Sequence, residues 1–240
     1  MDNCILNPEQ SRGDPKLPAT GILAVNPSDV KTLTACADQL GLQRFFLFNS
    51  TLYSSDALFL AGPAVGAPMA VLCLEKLIAL GAKSIILYGW CGSLQKNLHA
   101  MDVLVPTSAV SEEGTSNHYR TGEHPIQSSS ILAEKLCRSL SDKGFAVSRG
   151  PVWSTDAPYR ETRAKVSDYG DQGIVAVDME YSALCTVAAF RQVELAAVLL
   201  VSDELCRVPW KPNYSFKKFK QCSRELLRLL CELARSEQDG

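Results

Sequence analysis

Ile174–Val177 and Leu195–Val201 of this 240-residue chain are short runs without a polar side chain, each followed closely by acidic residues. An apolar run of this length without alternation fits a strand buried on both faces, and such strands occupy the middle of a largely parallel sheet covered by helices. The segment between them, from Met179 onward, reads as a helix. Each run ends in acid: Asp178 and Glu180 after the first, Asp203 after the second. In α/β sheets the ligand crevice lies outside the carboxyl ends of the strands, so these carboxylates are placed to face a ligand.

The rest of the chain repeats the alternation. Gly21–Val25 reads as a strand, after which Val30, Leu33, Thr34, Ala37 and Leu40 recur at helical spacing until Gly41. Arg44–Phe48 and Leu52–Ala61 read as strands. Pro68 opens a helix at its first turn, where a missing N–H costs nothing, and Gly81 ends it. Ser84–Tyr88 and Val103–Val110 are rich in β-formers, Ile131–Leu140 has helical spacing, Phe145–Trp153 is extended and Tyr159–Tyr169 helical. Ser215–Ala234 sets Leu226, Leu227, Leu229, Leu230 and Leu233 on one broad face and covers the sheet. The expected fold is a three-layer α/β/α domain with a central mixed, largely parallel twisted sheet. Residues 1–18, with three prolines and no period, form a flexible or surface-draped lead-in, and residues 19–240 a single domain.

With 24 basic against 26 acidic residues, no positive field draws the chain to nucleic acid or an anionic membrane, which leaves small molecules or proteins as partners. Nine cysteines without a CxxC pair read as reduced, mostly core residues; with no signal-like N-terminus, the expected location is the cytoplasm. No apolar run reaches the roughly 20 residues that span a bilayer.

Further motifs fall in order along the chain: Gly66-Ala67-Pro68 opening a helix, Gly89-Trp90-Cys91-Gly92-Ser93-Leu94 after a strand, then Asp102–Thr107, Glu113–Tyr119, Ser154–Arg160, Asp178-Met179-Glu180 and Ser202-Asp203. Together they resemble the superfamily that contains purine nucleoside phosphorylase, uridine phosphorylase and methylthioadenosine/S-adenosylhomocysteine nucleosidase, over roughly residues 20–235. The resemblance implies the phosphorylase fold and cleavage of the N-glycosidic bond of a purine-type nucleoside. It also implies a homodimer or hexamer and no metal or organic cofactor, phosphate entering only as a co-substrate.

It implies roles as well. Glu180 accepts hydrogen bonds from the ribose 2′- and 3′-hydroxyls, Met179 packs beneath the sugar and Asp178 completes the ribose signature. Asp203, beside Ser202, is the general acid that makes a purine a neutral leaving group. Trp153, Asp156, Arg160 and Ser202 line the base; Gly89, Trp90, Cys91 and Gly92 form the turn at the nucleophile or anion. His118 and Tyr119 are weaker candidates near the sugar or an adjoining subunit. Structural readings stand beside these: Asp178 caps a helix whose first turn holds Glu180, Asp203 caps a turn, Asp156 caps a helix containing Pro158, and a buried tryptophan is core.

The phosphate anchors of the phosphorolytic members are missing. Where they carry Gly-Asp-Pro-x-Arg, this chain has Val25-Asn26-Pro27-Ser28-Asp29; the second arginine is Leu87, and Trp90 replaces a threonine. A carboxylate repels phosphate, and leucine and tryptophan offer no charge. Arg44 alone is left as a third anchor, one that relatives contribute across a dimer interface. Hydrolysis is therefore the favoured expectation, with Asp29 as general base at the place where nucleosidases carry a glutamate. Phosphorolysis at an altered site and non-catalytic nucleoside binding stay open.

Overall fold

In the computed structural model, which describes residues 4–119 and 125–236, strands and helices alternate along the chain. They are β1 (Thr20–Ala24), α1 (Val30–Gln39), β2 (Gln43–Leu47), β3 (Ser50–Ser54), β4 (Phe59–Gly62), α2 (Ala67–Ala79), β5 (Ser84–Ser93) and β6 (Val103–Ser111). There follow β7 (Ile126–Gln127), α3 (Ser130–Asp142), β8 (Val147–Ser154), α4 (Arg163–Asp171), β9 (Ala176–Asp178), α5 (Tyr181–Arg191), β10 (Glu194–Glu204), β11 (Lys211–Pro212) and α6 (Lys217–Ser236).

All the strands join one mixed sheet. Its parallel centre is β4, β1, β5 and β10: Ile22 pairs with Leu60 on one side and Ile86 on the other, and Ile86 pairs in turn with Ala196. β10 also pairs with β6, β6 with β8, β8 with β9 and β9 with β5, so five strands close into a ring from which β1, β4, β3 and β2 extend. Alternate residues of β10 enter opposite cores. Ala197, Leu199 and Val201 pack with α2 and α5, while Ala196, Val198 and Leu200 pack with α1, α3 and α6. Burial on both faces is why this strand lacks polar alternation, and the two cores are the gaps of a three-layer α/β/α domain.

Four expectations shift. Leu52–Ala61 is two strands, since the chain turns at Ser55, whose N–H bonds the Leu58 carbonyl at 3.0 Å. Tyr159–Tyr169 is a 3₁₀ turn (Pro158–Arg160) followed by α4, which Thr162 starts anew by capping Lys165 N–H. The helix expected from Met179 begins at Tyr181. Gly89–Gly92 is no turn but the second half of β5, paired with β10 and β9. Its glycines answer to packing: a Cβ on Gly89 would stand 2.9 Å from Val25, and one on Gly92 2.9 Å from Leu205.

The lead-in is held at its described residues. Lys76 Nζ pairs with Asp14 and with the Glu9 carbonyl, both at 2.6 Å, and Leu17 N–H bonds the Leu80 carbonyl at 2.8 Å. Residues 1–3 of the expected lead-in and 237–240 of the expected domain lie outside the described residues. Among the described residues no helix is long and apolar enough to cross a membrane.

Candidate active site

Four strand ends converge on a cleft of about 530 Å³. The chain after β1 contributes Asn26 and Ser28, β5 Trp90 to Gly92, β9 and the start of α5 Asp178 to Glu180, and β10 Ser202 and Asp203. Tyr159, Glu161, Trp210 and Tyr214 complete the wall. Among the described residues the lining holds four carboxylates and no lysine, arginine or histidine.

Asp178 decides where α5 begins. Its Oδ2 accepts from the N–H groups of Glu180 (3.0 Å) and Tyr181 (2.6 Å), and its Oδ1 from Ser154 Oγ (2.5 Å). With both oxygens engaged, Asp178 borders the cleft and fixes the start of α5, as the helix-capping reading of this residue expects. Ser154 also accepts from Ser182 N–H at 3.0 Å, and Ser182 Oγ donates to buried Glu113 at 2.9 Å. Donors from Ser116, Ser111 and Ser182 outweigh burial at Glu113 and hold its pKa below the usual range. The Glu113–Tyr119 motif is thus pinned to α5 from behind; Tyr119 packs edge-on against Phe190, and neither His118 nor Tyr119 lines the cleft.

Glu180 makes no cap. Its Oε1 accepts from Gly66 N–H at 2.7 Å, reaching across to the entrance of α2. Burial, then the charge of Asp178, pushes its carboxyl up to about 8, with Gly66 pulling the other way. Burial raises the Asp178 carboxyl too, against the three donors from Ser154, Glu180 and Tyr181. Gly66 sits at φ 80°, ψ 149°, a region that side chains avoid. Gly66→Ala is expected to cost about 1–3 kcal/mol and to raise KM by shifting the Glu180 anchor. A thermal melt with nucleoside kinetics checks this, and no change in either removes the argument.

At the other end, β10 bulges against β5 between Val201 and Asp203, which lets the successive residues Ser202 and Asp203 both line the cleft. Asp203 Oδ1 accepts from Ser202 Oγ (2.6 Å) and Oδ2 from Trp210 Nε1 (2.8 Å). Glu161 stands in the same cleft, and burial together with the charge of Asp203 pushes its carboxyl up to about 7. Neither Trp210 nor Glu161 carries a periodic or motif signal of its own.

These strand ends belong to a chain whose residues 19–236 match the model of the Phosphorylase superfamily. The chain belongs to the phosphorylase superfamily. Guanosine phosphorylase of Halorubrum lacusprofundi is 26% identical over 189 residues, covering 76% of this chain and 78% of that one. A DeoD-type purine nucleoside phosphorylase of Bacillus cereus is 31% identical over 155 residues, 64% of this chain and 66% of that one, so the match spans just under two thirds of the Bacillus relative. The crystal structure of purine nucleoside phosphorylase from Toxoplasma gondii in complex with immucillin-H shares the fold, with a TM-score of 0.78 at 20% identity over 92% of this chain and 93% of that one. Phosphorylase superfamily members are enzymes that cleave glycosyl bonds.

In this phosphorylase superfamily member the nucleophile side differs from the sequence expectation. Asp29 does not line the cleft. Residues 27–29 form a 3₁₀ turn capped by Asn26, whose Oδ1 accepts from Ser28 N–H at 2.8 Å, and Asp29 points beneath α6. There it accepts from Ser223 Oγ, which also meets Tyr88 Oη at 3.0 Å. Burial pushes the Asp29 carboxyl up to about 6 against Ser223 and the Trp90 indole. Trp90, packed edge-on to Phe219 at 4.8 Å and stacked on Tyr214 at 6.5 Å, stands at the cleft instead. Asp29→Asn is therefore expected to keep most turnover, and loss of hydrolysis in that variant would restore Asp29 as the base.

The base-side residues separate in the same way. Trp153 is fully buried, donates to Glu112 Oε2 at 2.8 Å and packs on Tyr169 at 4.7 Å. It is core, as large apolar rings usually are. Asp156 is exposed and accepts from Gly114 N–H at 2.9 Å; Arg160 is exposed in the 3₁₀ turn. Neither lines the cleft, where Pro158, Tyr159 and Glu161 represent that segment. Gly89 lies outside the lining, and Arg44 is exposed on the edge strand β2.

Proposed function

We propose that this chain hydrolyses the N-glycosidic bond of a purine-type nucleoside. The observation that carries the reading is the cleft's lining: carboxylates from both strand ends, Trp90 where an anion anchor is expected, and no cation among the described residues. A phosphate dianion finds no cation to pair with there and meets carboxyl groups on both sides of the cleft. A neutral water needs no cation.

In this reading Glu180 takes the ribose hydroxyls and faces the positive charge that grows on the ring, while Asp203 and Glu161 face the departing base. Water adds its hydroxyl to C1′, the bond from C1′ to the base breaks, and the proton passes to the base. Glu180 must be anionic to accept two hydroxyls, so kcat/KM is expected to rise with pH until about 8. A profile flat from pH 6 to 9 would count against its role.

The deciding experiment is product analysis of a panel of purine nucleosides with and without phosphate. Free ribose and base without phosphate is the expected result. Ribose 1-phosphate formed only with phosphate would overturn hydrolysis in favour of phosphorolysis, the activity in the names of the relatives, and binding without any product would favour a non-catalytic binder.

The reading includes a homodimer or hexamer, supported by the exposed apolar side chains Phe46, Leu72 and Phe190, and checked by light scattering. It also includes a reducing, cytoplasmic setting, consistent with nine free thiols, and no cofactor.

A further inference from the structure

Of the four carboxyl groups that line the nucleoside cleft, the fold itself engages three. Asp178 receives three donors, Glu180 the Gly66 N–H, and Asp203 the Ser202 hydroxyl on one oxygen and the Trp210 indole on the other. The Glu161 carboxyl receives no donor among the described residues. Its backbone is nonetheless fixed: Glu161 N–H bonds the Pro158 carbonyl at 3.2 Å, closing the 3₁₀ turn, and the next residue, Thr162, caps α4. A half-buried carboxyl on a fixed backbone, unused by the fold, is free to meet a ligand. Asp203 is more restricted. An indole N–H only donates, so Oδ2 has to accept from Trp210. The Ser202 hydroxyl can turn its hydrogen to the Cys91 carbonyl, 3.1 Å away, so a proton on Oδ1 would be directed to Ser202 Oγ and not to a ligand.

We propose that Glu161, and not Asp203, hands the proton to the departing base, while Asp203 is a fixed acceptor for a base N–H. The inference rests on the reading above for the placement of the base at this end of the cleft. The bond from C1′ to the base breaks and its electron pair goes to the base. The O–H bond of Glu161 breaks, and its proton goes to a ring nitrogen, so that the base leaves neutral. Water adds its hydroxyl to C1′ and gives its other proton to solvent, from which Glu161 recovers one. Burial and the charge of Asp203 push the Glu161 carboxyl up to about 7, a value suited to giving and regaining a proton near neutral pH.

The test compares two leaving groups on the full chain: the purine nucleoside turned over fastest, whose base leaves well only when protonated, and 4-nitrophenyl riboside, whose nitrophenolate leaves without a proton. In Glu161→Gln, kcat/KM for the purine nucleoside is expected to fall about 10²-fold or more and that for the nitrophenyl riboside less than about threefold. Turnover of the second substrate also certifies the fold of the variant. Glu161→Asp, which keeps an acidic proton, is expected to recover part of the purine rate. Asp203→Asn is expected to lower both substrates alike. Equal losses on the two substrates in Glu161→Gln, no recovery in Glu161→Asp, or a loss confined to the purine nucleoside in Asp203→Asn would overturn the proposal. A parent that releases base only with phosphate ends the hydrolytic reading alone, because the same comparison run with phosphate still decides the role of Glu161; a parent that cleaves neither substrate ends both.

Discussion

Glu180→Gln loses most of its turnover and melts at a higher temperature than the parent at pH 8 and above. Both effects come from one buried carboxyl held by Gly66 N–H and pushed up to about 8 by burial and by Asp178. An acid whose folded pKa lies above its unfolded value costs nothing below the unfolded value of 4.5. The cost grows as pH rises from there to about 8 and is complete above that. Glutamine never ionises, so the stability gain is absent near pH 4 and full near pH 9. A tenfold change in proton affinity is worth about 1.4 kcal/mol, which puts the gain at a few kcal/mol, or about 5–10 °C for a domain of this size. Gln keeps an oxygen for Gly66 but has no negative charge for the ribose ring, and the expected loss in kcat/KM is of the order of 10² or more. Melts at pH 5 and 9, with kinetics at pH 8, decide it. A variant fully active would end the ribose role, and a gain equal at both pH values would end the electrostatic explanation.

Residues that serve the site and the fold at once were legible in the sequence. The apolar run Leu195–Val201 fitted a central strand, and both of its faces do enter cores; the acids at its end and at that of β9 line the cleft. Asp29 was misplaced because position along the chain does not specify rotation: one residue beyond Ser28, a 3₁₀ turn carries the side chain from cleft to core. Gly89 and Gly92 look alike whether a turn needs them or a crowded strand does, and only Val25 and Leu205 lying across the space decide. Trp210 and Glu161 come from irregular chain brought to Asp203 by tertiary packing, and no local pattern announces that approach.

Trp153→Ala separates a core role from a site role. The side chain is fully buried with Leu94, Val166, Ile174 and Val177, so its removal leaves a cavity that costs about 3–5 kcal/mol and lowers the melting temperature by about 10 °C. The protein that remains folded is expected to keep its KM, because Trp153 contributes nothing to the cleft lining. Trp153→Phe supplies the control if the alanine variant fails to fold. It keeps most of the apolar ring and gives up the N–H bond to Glu112, a loss of about 1 kcal/mol, and Glu112 stays solvated and paired with Lys165. The order of stabilities is then parent, Phe, Ala, with KM level across the three. A rise in KM that follows ring size, without a matching fall in melting temperature, would return Trp153 to the base pocket and require β8 to present it to the ligand rather than to Tyr169 and α4.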